Sequence, residues 1–472
     1  MNNTTVFSKF SQGVNWNGIF YSTYKTFTTI LSFLLFKFLT TQDFSVWANI
    51  NSVIFLLLLW LDFGFRKSIP RYLPEFAKNR ETHKRFIQYI LYFQFSILLI
   101  ATPLVMYLGN TFTKSLNMQL YFTFFYMGGA IFLTEGLIAI LRLIYHAHFW
   151  NKQFNILTMT ALFFEMTANI IILCCFKQST EILTGILLTK IASGIFVNIV
   201  GLLMLTKLYK DKNYPGNQEL EFKPTFVAFI KHSGIMWVST TIKSMTERNF
   251  LMPLFTYVFG PASANMFKVA NDGALFFHRI ALKTIGTTDT SLLSHIQTSP
   301  DKEKLMPIAF KELITKIISL CVPLTAILLA LLLKKDVLFS NTFAAQLFFI
   351  MTIAYLTELI ASPYERMLEI KRRYSLLFLS YAPYIAMLIV LFSSSTSSVD
   401  LVSSIIIIHS IRLVSSFLML YFARRKYPYL HFPIPYLIKV ITLCVPLFLI
   451  CCGAITYSPV ATHYISTLIS SK

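Results

Sequence analysis

Fourteen ionisable side chains fall within stretches of this chain that otherwise read as membrane spans. Nine are cations: Lys25, Lys190, Lys231, Lys243, Arg248, Lys268, Arg279, Lys316 and Arg412. Five are acids: Glu135, Glu165, Glu247, Asp272 and Glu358. A charge at the centre of a spanning helix costs about 2.5–3.5 kcal/mol on insertion scales, so fourteen facing lipid would cost about 35–49 kcal/mol. Most must therefore face a wet interior, pair with one another, or reach an interface. Cations in a wet interior bind anions, and buried carboxylates can titrate with a coupling ion.

The spacing sorts them. Lys268, Asp272, Arg279 and Lys283 fall within an arc of roughly 60° on one helix. Lys268 and Asp272 are four apart and can pair, whereas Arg279 has no acid at i±3 or i±4. Lys243 and Glu247 are also four apart, followed directly by Arg248. Lys25 lies mid-span beside Tyr21, Ser22, Thr23, Tyr24 and Thr26, a polar stripe suited to a cavity. Lys190 lies mid-span in an apolar surround, and Arg412 lies mid-span with His409 one turn before it. The expected anion-binding cations are thus Lys25, Lys268 and Arg279, with Lys243, Arg248, Lys190 and Arg412 as further candidates. The coupling candidates are Asp272, Glu247, Glu135 and Glu165. For each, the alternative is an interhelical ion pair that only fixes packing. Lys231 and Lys316 lie nearer an edge, where long side chains snorkel.

The elements that hold these residues follow from composition. The chain has 472 residues, of which 55% are hydrophobic and 13% charged, with mean hydropathy +0.62. Soluble domains carry about 25% charged residues, so the expected class is an all-α polytopic membrane protein. Spans are expected near 16–39, 43–63, 86–108, 118–141, 153–176, 181–206, 225–257, 263–282, 307–333, 340–361, 375–395, 400–422 and 436–457. The stretch 225–257 would be about 50 Å long as one helix, longer than a hydrocarbon core of about 30 Å. It must tilt or break, with Gly234 and Pro253 as the break points; if it ends instead near Ile242, Lys243 to Arg248 form an outer loop. A fourteenth span after residue 457 is barely possible.

The net charge of +20 has a membrane explanation. With the N-terminus in the cytoplasm, only Lys37, Lys114, Lys177, Lys334, Lys335 and Lys472 fall in outside segments. Cytoplasmic segments take the clusters Arg66 to Arg85, Arg366 to Arg373 and Arg424 to Lys426. This bias follows the positive-inside rule and sets the orientation. It removes the reason to invoke nucleic acid. The six cysteines lie in apolar runs without metal spacing, no P-loop is present, and no cofactor is expected.

The longest midchain polar connection, near 207–224, divides twelve spans six and six. The expected organisation is an N-terminal lobe 1–206, a linker 207–224, a C-terminal lobe 225–423, and a basic loop with an extra helix over 424–472. Two parallel six-helix repeats commonly enclose a site between them.

After the second span comes Trp60-Leu61-Asp62-Phe63-Gly64-Phe65-Arg66-Lys67-Ser68-Ile69-Pro70-Arg71-Tyr72-Leu73-Pro74-Glu75. Gly64 suits a helix C-terminus, and the basic amphipathic turn after it suits a headgroup surface. This run resembles the segment after span two in polysaccharide flippases of the multidrug/oligosaccharidyl-lipid/polysaccharide exporter superfamily, above all the O-antigen and repeat-unit exporters. The resemblance implies two six-helix lobes, a central cavity with alternating access, and a bacterial cytoplasmic-membrane location. It implies as cargo a polyprenyl-diphosphate-linked glycan of a lipopolysaccharide-type pathway, moved by a monomer among membrane lipids, with polymerase or assembly proteins as partners. Related lipid-linked precursor flippases place cations on spans one and eight, the type and location of Lys25, Lys268 and Arg279. The expected driving force is an ion gradient.

Two rivals remain. A multidrug or organic-cation antiporter of the same fold calls for an acidic or apolar cavity, against nine buried cations and five acids here. A membrane glycosyltransferase or polymerase calls for acids on sizeable outside loops. The outside loops here are short, and Gln42-Asp43 is a slender basis for catalysis.

Overall fold

The computed structural model describes residues 3–77, 79–115, 122–210, 222–285, 288–297, 301–333, 342–393, 401–430 and 433–457. Among them no strand occurs. The helices are α1 (Asn3–Phe38), α2 (Thr41–Trp60), α3 (Phe65–Phe76), α4 (Arg80–Ser115), α5 (Phe122–Ala147), α6 (Asn151–Cys175), α7 (Ser179–Lys210), α8 (Phe222–Ser244), α9 (Arg248–Ile285), α10 (Thr288–Gln297), α11 (Lys302–Leu333), α12 (Thr342–Ile370), α13 (Tyr374–Ser393), α14 (Leu401–Lys426) and α15 (Ile434–Tyr457). Six of the described helices are long and apolar enough to cross a membrane: α2, α4 to Tyr107, α5 from Thr123, α6, α7 to Lys207, and α14. The all-helical, multi-span class stands.

The chain packs as two compact units, Met1–Asn265 with Gly286–Thr298, and Met266–Ile285 with Ser299–Lys472. This differs from the expected division at 207–224, of which residues 211–221 lie outside those described, as do residues 458–472 of the C-terminal segment. In the first unit, α8 and the start of α9 pack on α2 and α3. Trp60 Nε1 donates to Ser244 Oγ at 2.8 Å, Asn49 Nδ2 to Thr256 Oγ1 at 3.1 Å, and Asn265 Nδ2 to the Thr41 carbonyl at 3.0 Å. The first part of α9 therefore runs antiparallel along the whole of α2. Trp60→Phe removes one of these bonds and is expected to cost about 1 kcal/mol, read as a lower melting temperature in detergent.

The expected long span 225–257 is broken, but not at Gly234 or Pro253. α8 stops at Ser244, and a turn over 245–247 leads into α9 at Arg248. Neither glycine nor proline makes this break. A second departure from helix lies at Gly260 (φ 82, ψ 167) within α9.

The motif after α2 has a physical account. Asp62 Oδ1 accepts the Gly64 N–H at 2.7 Å, and Arg66 Nε lies 3.5 Å from Asp62 Oδ2. Phe63 (φ 49) and Gly64 (φ 77) are both left-handed, so the chain turns sharply into α3. There Phe65, Ile69, Tyr72, Leu73 and Phe76 are buried at 0–4% exposure, in one core with Phe86, Ile144, Tyr145 and Phe229. The basic turn expected at a headgroup surface is thus a helix with one face sunk into the bundle. At the other end of α2, Thr40 caps the helix, its Oγ1 accepting the Asp43 N–H at 3.2 Å. Asp43 in turn accepts from the hydroxyls of Thr40 and Ser179.

In the second unit, α12 packs on α14 and α11 on α15. Ser415 Oγ donates to the Ser380 carbonyl at 2.7 Å, joining α14 to α13, and Tyr381 Oη to Glu365 Oε1 at 2.7 Å, joining α13 to α12.

Candidate functional site: two buried charge clusters

The second unit gathers polar residues from α9, α12 and α14 around Tyr355. On α9, Lys268 and Asp272 are 3% and 4% exposed, and Lys268 Nζ lies 2.9 Å from Asp272 Oδ2. This is the pair that the i, i+4 spacing predicts. One position before Asp272, Asn271 donates from Nδ2 to Tyr355 Oη at 2.9 Å. Seven residues further along α9, the His278 ring lies 5.1 Å from the Tyr355 ring. From α14 the His409 ring approaches Tyr355 edge-on at 5.5 Å, and the Arg412 guanidinium sits 5.0 Å from the ring centroid. Arg412 Nη1 bonds Glu358 Oε2 at 3.1 Å. Arg279, half-buried on α9, acts electrostatically on Tyr355.

The reason these charges can stay buried is mutual compensation. A carboxylate beside a guanidinium in a dry interior repays desolvation only when the remaining hydrogen bonds are also made. Tyr355 contributes through a cation–π contact with Arg412.

The first unit holds another cluster. Lys190 Nζ lies 3.5 Å from Glu135 Oε1 and 3.4 Å from Asn51 Oδ1, with the ammonium 5.4 Å from the Phe55 ring centroid. Glu165 bonds Ser193 and feels both Lys190 and Glu135. Tyr24 lies in the field of Lys190, Glu135, Glu165 and Arg142. α1, α2, α5, α6 and α7 therefore all contribute. Lys25, next to Tyr24, is buried at 7% exposure.

The structure thus sorts the expected residues into three places. Lys268, Asp272, Arg279 and Arg412 meet in the second unit. Lys190, Glu135 and Glu165 meet in the first, to which Lys25 also belongs. Lys243, Glu247 and Arg248 flank the α8–α9 break. Lys243 is in the last turn of α8, Glu247 in the connecting turn, and Arg248 opens α9. They lie near Trp60, at the C-terminal end of α2, rather than within a continuous span. Lys231 is exposed, and Lys316 pairs with Glu312 at 3.1 Å.

Several participants were not foreseen. Arg142 sits inside α5, its guanidinium 5.8 Å from the rings of Phe20 and Phe154. Asn17 is fully buried and accepts from Asn151 and Asn155 of α6, at 3.1 and 2.8 Å. Tyr355, Asn271 and His278 were also missed. The available signal was spacing: Asn271 and His278 are seven apart, and Tyr355 and Glu358 three. Asp43, in the first turn of α2, is 2% exposed, and its Oδ2 accepts from the hydroxyls of Thr40, which caps α2, and Ser179, which opens α7.

No protein-family model matches the chain, and no curated protein matches it in sequence. Solved structures do. The Vibrio cholerae MATE transporter VcmN in its bent form superposes with a TM-score of 0.61 at 11% identity, covering 94% of this chain and 99% of that one. The lipid II flippase MurJ, in an inward closed conformation, gives 0.61 at 12% identity and covers 98% of each chain. The eukaryotic MATE transporter AtDTX14 gives 0.59 at 12% identity, with 94% and 100% covered. At these identities the likeness concerns architecture alone, and over nearly its whole length this chain has the fold shared by MATE transporters and MurJ.

Proposed function

We propose that this protein is a flippase. It moves polyprenyl-diphosphate-linked oligosaccharide repeat units from the cytoplasmic to the outer leaflet of a bacterial cytoplasmic membrane, by alternating access coupled to an ion gradient. The observation that carries this reading is the charge balance around Tyr355. Three cations, Lys268, Arg279 and Arg412, share that cluster with two carboxylates, Asp272 and Glu358. Asp272 lies on Lys268 and Glu358 on Arg412, and the residues named hold more cations than carboxylates, a balance suited to an anionic diphosphate. Arg279 is the diphosphate-binding residue in this reading, because a guanidinium presents a fork of donors matched to phosphate oxygens. The likeness to MurJ adds support, since a fold that carries a lipid-linked precursor there offers the same architecture here. The carboxylates Glu135 and Glu165, on either side of Lys190, are the coupling-ion candidates of the first unit, and Asp272 and Glu247 are further ones.

Arg279→Gln tests the reading. Glycan export is expected to fall at least tenfold with the protein inserted at normal abundance, a tenfold loss corresponding to about 1.4 kcal/mol. Export at the wild-type level would overturn the assignment.

The second reading is a multidrug antiporter, favoured by the equal likeness to MATE structures. In that case cells expressing the protein extrude cationic dyes, and Arg279→Gln raises extrusion by removing a like charge from the path. The flippase reading expects no extrusion from either.

A further inference from the structure

The turn between α2 and α3 holds an acid that neither charge cluster uses. Asp62 is 5% exposed. Its Oδ1 accepts the Gly64 N–H. Its Oδ2 accepts no hydrogen bond in the protein and lies 3.5 Å from Arg66 Nε. The Arg66 side chain is 37% exposed, so water competes for it. Against the turn lies Gln94 of α4, 2% exposed, whose Nε2 donates to the Leu61 carbonyl at 3.2 Å. Its Oε1 has no hydrogen-bond partner either. Asp62 follows directly on the Leu61 that anchors Gln94, and each of the two side chains leaves one buried oxygen without a donor.

The surroundings disfavour a bare charge there. Asp62 lies past the Thr41–Trp60 span. Burial pushes its carboxyl above the usual carboxylate range, against the pull of Arg66, the Gly64 and Arg66 amides, and Lys67. The other ionisable groups on the packed elements are turned elsewhere. On α3, Arg71 lies over the Tyr72 ring at 5.4 Å, and Tyr72 Oη donates to the Ala228 carbonyl at 3.3 Å. On α8, His232 meets the Tyr72 ring at 5.7 Å. Lys231 of α8 and Tyr89 and Tyr92 of α4 are exposed. What presses on the turn is apolar or neutral: Phe93 of α4 against Phe63 and Phe65, and Trp237 of α8 stacked on Phe63.

The geometry points to a proton-binding site: Asp62 Oδ2 takes one proton from water and donates it to Gln94 Oε1. The Gln94 nitrogen is already spent on Leu61, so the atom it leaves is an acceptor. A carboxylate is acceptor-only, whereas a neutral carboxyl supplies one O–H donor. One proton therefore satisfies both buried oxygens. A metal cation is opposed by Arg66 and Lys67 beside the site. The site also sits in the joint that holds α8, where Trp237 Nε1 donates to the Trp60 carbonyl. A charge on Asp62 weakens that joint, and the proton removes the charge. Because folding favours the neutral form, this carboxyl adds stability that is present at low pH and lost as pH rises through its folded value. The site is separate from the clusters around Tyr355 and Lys190 and does not depend on the cargo.

The test compares the full-length wild type with Asp62→Asn, which keeps an oxygen for Gly64 and a permanent donor for Gln94. The infrared difference between the two is expected to show a protonated-carboxyl band at about pH 5.5, above the ~3.9 of an ordinary Asp. The band disappears as pH rises. Gln94→Met is expected to shift its frequency and to require at least threefold more protons to keep it. Arg66→Gln, a change at a partly exposed side chain, is expected to keep the band at threefold fewer protons, and it repeats the titration should Asp62→Asn fail to insert. Asp62→Asn is expected to melt with the wild type at about pH 5 and above it at about pH 8. Three results overturn the proposal: no titrating band, a band indifferent to Gln94→Met, or Asp62→Asn melting below the wild type at about pH 8. The last is the mark of an ionised Asp62 held by Arg66. A buried water serving both oxygens while Asp62 stays ionised gives no titrating band, and overturns it too.

Discussion

Gly64→Ala is expected to unfold the docking of α8, with a loss of more than about 3 kcal/mol. Two independent costs act at this residue. Its φ of 77° is left-handed, where a residue with a Cβ is disfavoured by about 1–2 kcal/mol. A Cβ would also lie 2.1 Å from the Ser233 carbonyl oxygen and 2.8 Å from the Trp237 nitrogen. Both are backbone atoms of α8 and cannot swing aside as a side chain can. α8 would have to move as a body, losing the bond from Trp237 Nε1 to the Trp60 carbonyl and the stacking of Phe63 on Trp237. Gly234→Ala is the matched control. It sits on the same helix with open space around the new Cβ, and removing a glycine there is expected to be neutral or to stabilise by about 0.4–1 kcal/mol. Thermal unfolding in detergent and protease sensitivity around 222–244 measure both. A Gly64→Ala protein melting with the wild type would refute the steric account.

The second large effect concerns Arg412 and Glu358. Removing one partner of a buried ion pair strands the other, at a cost of about 3–5 kcal/mol. Arg412 and Glu358 side chains are 3% and 11% exposed, so both Arg412→Met and Glu358→Gln are expected to lower the melting temperature strongly. The double variant Arg412→Met with Glu358→Leu leaves no uncompensated charge. It is expected to recover most of the loss, since apolar replacement of a buried pair is often neutral. The double-mutant cycle then yields the coupling between them. It also separates packing from transport. A double variant that is stable yet exports nothing assigns the pair to function, whereas one that exports normally assigns it to packing.

How far the chain itself announced these sites depends on the range of the interaction. Lys268 and Asp272 were legible because four residues on one helix bring side chains together without reference to any other element. The all-helical, multi-span class was legible because apolar runs near 20 residues have few other uses. The α8–α9 break was legible only as one alternative, an end near Ile242, against the observed end at Ser244. Residues 245–247 contain no glycine or proline, and on either side of them Ser244 bonds Trp60 and Thr256 bonds Asn49 of α2. Arg142 was not singled out because it lies just past the expected span 118–141. α5 in fact carries it inside the bundle, against two aromatic rings.

The sequence by itself determined the class, the positions of most helices, the identity of several buried charges, and the pairing of Lys268 with Asp272 along one helix. It also marked Gly64 as special. Only the tertiary structure decided that Glu358 belongs to Arg412, that Glu135 and Glu165 share Lys190, and that α8 and the start of α9 pack with the N-terminal helices. The physical reason is locality. Helix periodicity and hydropathy are properties of neighbours along the chain, whereas an ion pair between α12 and α14 joins residues 54 positions apart. Which acid meets which base is fixed by how helices dock, and that is settled by the packing of whole faces rather than by the charged residues themselves.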